Sequence, residues 1–309
     1  MMTVATVAAQ GVHVLAAAFV AGALVFMLLT PADDVPARLS GGPARDMICL
    51  IVAALGVVIL SGILWLWSVA AGMSGYGVVD ARVLRAAGAV LSATNFGHLW
   101  LARACMTVVL CLAIFRDMRS PGARGGTTTV VGAAMALALL ASVAAAGHAA
   151  ASARPKLEIA VLAVHVSAAG LWFGSIAALA ISLRAEPADG DMARFAVGAT
   201  RRIGAMAVIM LLLLAACGTA SAFFRLSGAA AIFSGYGQLL IAKSALLFAA
   251  LALAARNRWR LLPRLSKSTG DAESRRCALL SLTRNVAGET IIVAAILLLA
   301  GWLAATPPG

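Results

Sequence analysis

Residues 4–29 read VATVAAQGVHVLAAAFVAGALVFMLL, a run of 26 without an acid, a Lys or an Arg. The hydrocarbon core of a bilayer is about 30 Å thick and a helix rises about 1.5 Å per residue, so about 20 such residues cross it. The run has no basic leader, is longer than the apolar part of a signal peptide, and meets no clear cleavage pattern before Pro31-Ala32-Asp33-Asp34. It is expected to be a retained membrane helix.

Seven more runs of this kind follow, at 47–70, 96–115, 128–148, 158–183, 203–224, 236–255 and 287–305. Of the 309 residues, 62% are hydrophobic and 12% charged, and the charges lie between the runs instead of along amphipathic faces. That is a membrane composition, and no soluble domain fits in what remains. The expected fold class is all-α, a polytopic membrane helical bundle with eight transmembrane helices.

A net charge of +12 raises the question of nucleic acid, which the distribution of the 24 Lys and Arg answers. Seventeen follow helices 1, 3, 5 and 7, five lie in the termini and the other loops, and Arg103 and Lys243 lie inside helices. The positive-inside rule then places both termini in the periplasm of a bacterial inner membrane. The basic charge reads as topology and headgroup attraction, so the bilayer is the expected partner and nucleic acid is not. None of the five Cys falls in a predicted periplasmic loop, and no disulfide framework is expected.

The chain also repeats itself. His13 with Gly22 returns as His165 with Gly174 at an offset of 152; Ser61-Gly62 returns as Cys217-Gly218 at 156. Phe96-Gly97-His98 with Arg103 returns as Tyr236-Gly237-Gln238 with Lys243 at 140. Apolar matches arise by chance in membrane sequences, but a shared His and a shared intramembrane cation in the same order are harder to obtain that way. Two parallel four-helix repeats are expected, because an even number of spans returns the second half to the same side. Helices 1–3 of the first half occupy 1–125, helix 4 completes it over 126–150, and the second half is 151–309.

The chain has four His, and this topology puts all of them in the outer half of the membrane: His98 and His148 at the surface, His13 and His165 about 10–14 Å below it. An imidazole at that depth is costly unless it faces protein, water or a metal, so His13, His98, His148 and His165 are the candidate metal ligands. Imidazole suits copper, zinc and haem iron alike. Cys105, Met106 and Met73 are secondary soft ligands, while Arg103, Lys243 and Glu289 are candidate relay groups. The aromatic residues Trp65, Trp67, Trp100, Trp259 and Trp302 mostly flank helix ends as an interfacial belt would. No P-loop, nucleophile elbow or paired-carboxylate constellation occurs, so an enzyme or an ATP-driven pump is not expected.

Several stretches resemble the copper resistance protein D (CopD) family. They are Ser234-Gly235-Tyr236-Gly237-Gln238 through Lys243, Leu253-Ala254-Ala255-Arg256-Asn257-Arg258, Leu262-Pro263, His165 through Trp172-Phe173-Gly174, Gly147-His148-Ala149, and Arg284 through Glu289 to Pro307. The likeness is most specific over about 140–307, and the first half is similar in layout with weaker motifs. The resemblance implies an inner-membrane protein that moves copper, as Cu(I) or Cu(II), from periplasm to cytoplasm, beside a small periplasmic copper carrier. His98 stands where the second half has Gln238, a departure from strict symmetry. Two alternatives compete: a b-type cytochrome with haem held by His pairs, and a factor that delivers copper without transporting it.

Overall fold

The computed structural model describes residues 4–31, 35–119, 126–146, 152–184, 189–225, 233–268 and 271–306. Among these residues there is no strand. The helices are α1 (Val4–Leu29), α2 (Ala37–Ser74), α3 (Arg82–Ala93), α4 (Asn95–Arg119), α5 (Gly126–Ala141), α6 (Pro155–Ser182), α7 (Gly190–Arg225), α8 (Gly235–Arg256), α9 (Leu262–Lys267) and α10 (Ala272–Ala305). A 3-10 turn (Ser142–Ala145) extends α5, and a π-helical turn (Asn257–Leu261) joins α8 to α9 without a break. Among the described residues eight apolar spans result: seven of the long helices, with α8 and α9 forming the eighth together. The chain is an all-α polytopic membrane bundle, as its apolar runs predict.

α1 and α6 form the centre. α1 packs on α6, α2, α5 and α10, and its interface with α6 is the most extensive among the described residues. Small residues allow this: Ala17, Ala18, Ala21 and Gly22 of α1 face Gly170, Gly174, Ala177 and Ala178 of α6, all buried. Without a hydrophobic drive between helices in lipid, close backbone approach over small residues supplies the packing. The crossing point is Gly22 against Gly174, where a Cβ on Gly22 would lie 2.5 Å from the Gly174 carbonyl carbon and the Ser175 amide nitrogen. Ser175 Oγ donates to the Gly22 carbonyl there at 3.1 Å. Gly22 and Gly174 are themselves a pair at the offset of 152, so corresponding residues of the two halves meet at the centre.

Several features depart from the apolar-run reading, among them α2, which begins ten residues before the predicted 47. The connection between the second and third spans contains α3, an amphipathic helix whose Val83, Ala87 and Val90 pack on Leu66, Ala70 and Ala71 of α2. Twelve residues of mixed polarity are too short and too polar to register as a span. α7 begins 13 residues before the predicted 203, and α10 begins 15 before the predicted 287. Their extra turns bury Met192, Phe195, Ala196 and Ala199 on α7 and Leu279, Leu282 and Val286 on α10, beside Leu261 and Leu265. Asp271 caps α10 by accepting from the amides of Glu273 and Ser274. At about 51 Å, α10 is longer than the hydrocarbon core, and protein contacts sustain the helix beyond lipid.

Candidate functional site

His13 is 3% exposed and turns from α1 toward α2 and α4. Its Nδ1–H donates to the Val58 carbonyl at 3.0 Å. A carbonyl only accepts, so the proton sits on Nδ1 and Nε2 carries a free lone pair. Ser61 Oγ lies 3.4 Å from the same Nδ1 and donates to the Val57 carbonyl. Gly62 leaves room for the ring: a Cβ there would stand 3.5 Å from Cε1 and Nδ1. Trp65 tilts against the imidazole with ring centres 5.6 Å apart, and Trp100 Nε1 donates to the Gly62 carbonyl at 2.7 Å.

The cation of this site is Arg103, 2% exposed. Its Nε donates to Ser142 Oγ at 2.7 Å and one terminal nitrogen to the Ser142 carbonyl at 2.8 Å; the guanidinium also lies over Trp65, 5.4 Å from the ring centre. The Ser142 contacts come from the 3-10 turn, which brings a backbone carbonyl and a hydroxyl to the same cation. Two buried atoms of this site have no partner, His13 Nε2 and the other terminal nitrogen of Arg103. Both residues line a cavity of about 30 Å³ with Val58, Gly62, Trp100 and Thr107. That volume holds one small species, water at least.

The second half repeats the plan. His165 of α6 stands against Gly218 of α7, where a Cβ would lie 3.4 Å from Cε1. The Leu214 carbonyl faces the ring, at the offset of 156 that relates it to Val58, although His165 Nδ1 does not complete a hydrogen bond. Lys243 of α8 lies close enough for its charge to act on His165, as Arg103 acts on His13. The aromatic walls do not recur: Ser221 and Leu240 stand at the positions of Trp65 and Trp100. α7 and α8 barely touch among the described residues, so His165 is only half-buried.

The imidazoles therefore occupy separate surroundings. His13 engages α2 and α4, and His165 engages α7 and α8. His98 is exposed near the start of α4, its Nε2 3.1 Å from the Ser92 carbonyl. His148 lies outside the described residues. Met73 and Cys105 are exposed, Met106 packs against the core, and all five Cys are free. Among the described residues no three His, Cys, Asp or Glu are grouped to hold a metal.

Glu289 is 4% exposed and lies within the bundle. Trp172 Nε1 of α6 donates to its Oε1 at 3.2 Å, and Asn257 Nδ2 of the π turn donates to its Oε2 at 3.0 Å. Sequence reading missed Trp65, Trp100, Trp172 and Asn257 as partners of these polar groups. Trp65 shares a helix face with Val58 and Gly62 by its spacing of seven and three, a signal available before the structure. Nothing local marked Trp172 or Asn257, which meet Glu289 across 117 and 32 residues of chain.

Residues 1–154 match the family described as copper resistance protein D-like, N-terminal domain, and residues 197–303 match the family described as copper resistance protein D. The first match holds His13, Gly62 and Arg103, and the second holds Leu214, Gly218, Lys243, Asn257 and Glu289. His165 and Trp172 fall between them. No curated protein and no solved structure matches the chain.

Proposed function

Because this chain belongs to the copper resistance protein D family, we propose that it carries copper across the inner membrane, from periplasm to cytoplasm, through one imidazole station in each half. The recurrence of one site supports this reading. A His on the first helix of each half faces a carbonyl and a glycine on the second and a cation on the third. Each ring keeps a buried nitrogen without a protein partner, and at His13 that nitrogen is a lone pair suited to copper.

The neighbouring cation explains why the stations pass copper on. Conduction needs binding favourable enough to enter and weak enough to leave. A single imidazole with a Lys or Arg beside it binds a copper ion far less tightly than a closed cage would. The bias of Lys and Arg toward alternate loops supports periplasmic termini and entry at that end. His98, five residues or about 7.5 Å of helix before Arg103, is the exposed imidazole a periplasmic carrier would meet first. The two stations make 1–150 and 151–309 functional halves.

Copper bound by the purified protein tests the reading, with the His13→Ala, His165→Ala and doubly substituted variants alongside. Each single variant loses one equivalent, the double variant loses both, and copper uptake into proteoliposomes falls with them. Equal copper in the wild type and the double variant overturns the assignment of the stations. A haem Soret band in the purified protein replaces copper by the cytochrome reading.

A further inference from the structure

Glu289 is a carboxylate deep in the bundle, and among the described residues no cation lies within ion-pair distance of it. The network around it has a fixed direction, set by one backbone group. Asn285 Nδ2 donates to the Leu253 carbonyl at 2.9 Å, and a carbonyl can only accept, so the Asn285 carboxamide has one orientation. The same nitrogen is 2.8 Å from Asn257 Oδ1, which must accept, so Asn257 Nδ2 must point at Glu289. Trp172 Nε1 can only donate. Both oxygens of Glu289 are therefore acceptors, and neither neighbour can receive a hydrogen from it.

That arrangement is built for the ionised carboxylate. Its counter-charge is remote: Arg256, at the end of α8, makes a long 3.5 Å contact with Asn285 Oδ1, two carboxamides away. The other elements around Glu289 add no charge. α1 has no acid, Lys or Arg, and its His13 faces α2; α6 presents Trp172; Arg201 and Arg202 on α7, Arg284 on α10 and Arg258 on the π turn are exposed; among the described residues no charged side chain acts on the carboxylate directly. The Asn257 oxygen is committed to Asn285, and the Asn285 oxygen faces Arg256. A metal ion would find only the two oxygens of Glu289, too few for a hard cation that takes six or more.

We propose that Glu289 is an intramembrane proton-binding site whose occupancy is read by the Asn257–Asn285 link between the π turn after α8 and α10. The proton leaves hydronium of the acidic medium as water and forms an O–H bond at a free lone pair of the carboxylate, and no other covalent bond changes. Protonated Glu289 then has a hydrogen to donate and only donors around it. Asn257 turns its carboxamide over to accept, and in doing so gives up the bond from Asn285. The π turn supplies the slack, since such turns interrupt the regular helical ladder and recur at functional sites.

Infrared difference spectra of the full chain in nanodiscs, taken between neutral and acidic pH without copper, test this independently of the copper stations. The expected result is a carboxyl C=O band with a concurrent Asn side-chain amide change, both absent in Glu289→Gln. In Trp172→Phe, the loss of a hydrogen bond to the carbonyl moves the band to higher frequency. Size-exclusion elution like the wild type shows that each variant is folded. Identical difference spectra for the wild type and a folded Glu289→Gln overturn the proposal, as does a Glu289 band with no Asn change.

Discussion

The α1–α6 crossing sets a sharp test of the packing. A methyl group added at Gly22 would meet the Gly174 carbonyl carbon and the Ser175 nitrogen at 2.5 Å, and both are backbone atoms that no rotamer change can move. Carbon atoms pack at about 3.5–4.0 Å, so Gly22→Ala forces the helices apart by ~1 Å at the centre of the largest interface. Overpacking of this kind costs ~1–3 kcal/mol, and the loss of the Ser175 hydrogen bond to the Gly22 carbonyl adds ~0.6 kcal/mol. Relative to a helical Gly→Ala change that meets no contact, the expected destabilisation is ~2–4 kcal/mol. Gly56→Ala is the control, because a Cβ there meets nothing within 4 Å, and a helical Gly→Ala change is favourable by itself. Denaturant unfolding in mild detergent, followed by far-ultraviolet circular dichroism, compares the three proteins. A Gly22→Ala midpoint equal to that of Gly56→Ala would refute the claim that backbone contact holds the centre. Gly174→Ala should behave like Gly22→Ala, since its Cβ would stand 2.8 Å from Gly22 Cα.

Two like charges about 8 Å apart in an effective dielectric of about 20 repel by ~2 kcal/mol, so Arg103→Gln should tighten copper at His13 roughly 30-fold while slowing its release. Competition against a chelator of known affinity measures the first effect and proteoliposome flux the second; weaker binding by the variant would contradict the role of the cation. Lys243→Gln should act in the same direction at His165 and leave His13 unchanged. Hydrogen bonds from the Ser274 side chain and from the Ser274 and Glu273 amides hold the Asp271 carboxyl below the usual carboxylate range. A lowered folded value means that the cap stabilises above the ordinary Asp range, about pH 4, and loses that contribution as pH falls through the folded value. Protection factors for exchange over 272–276, taken against the intrinsic rate at each pH, should therefore fall in Asp271→Ala and, on acidification, in the wild type, with Asp271→Asn largely protected.

Spans and charge bias were legible because each depends on neighbours along the chain, and the recurring residues because their types and order can be compared without knowing any contact. A run of about 20 apolar residues crosses a bilayer whatever surrounds it. The offsets of 152, 156 and 140 reappear as contacts, with His13 and His165 each beside the glycine and cation that spacing pairs with them. Helix length beyond the bilayer was not legible. In α7 and α10 it depends on burial by distant turns, and α3 holds its place only by packing on α2.

The sequence alone determined that the chain lives in a membrane, how many times it crosses, and which polar residues must find partners there, since hydrocarbon penalises every charge and imidazole wherever it falls. Only the tertiary structure decided who those partners are. It turned His13 and His165 into different halves, set Trp65 and Trp100 beside His13, and drew Trp172 and Asn257 onto Glu289. These contacts depend on helix rotation and crossing. The meeting of Gly22 with Gly174 holds α1 and α6 together, and no local pattern encodes it.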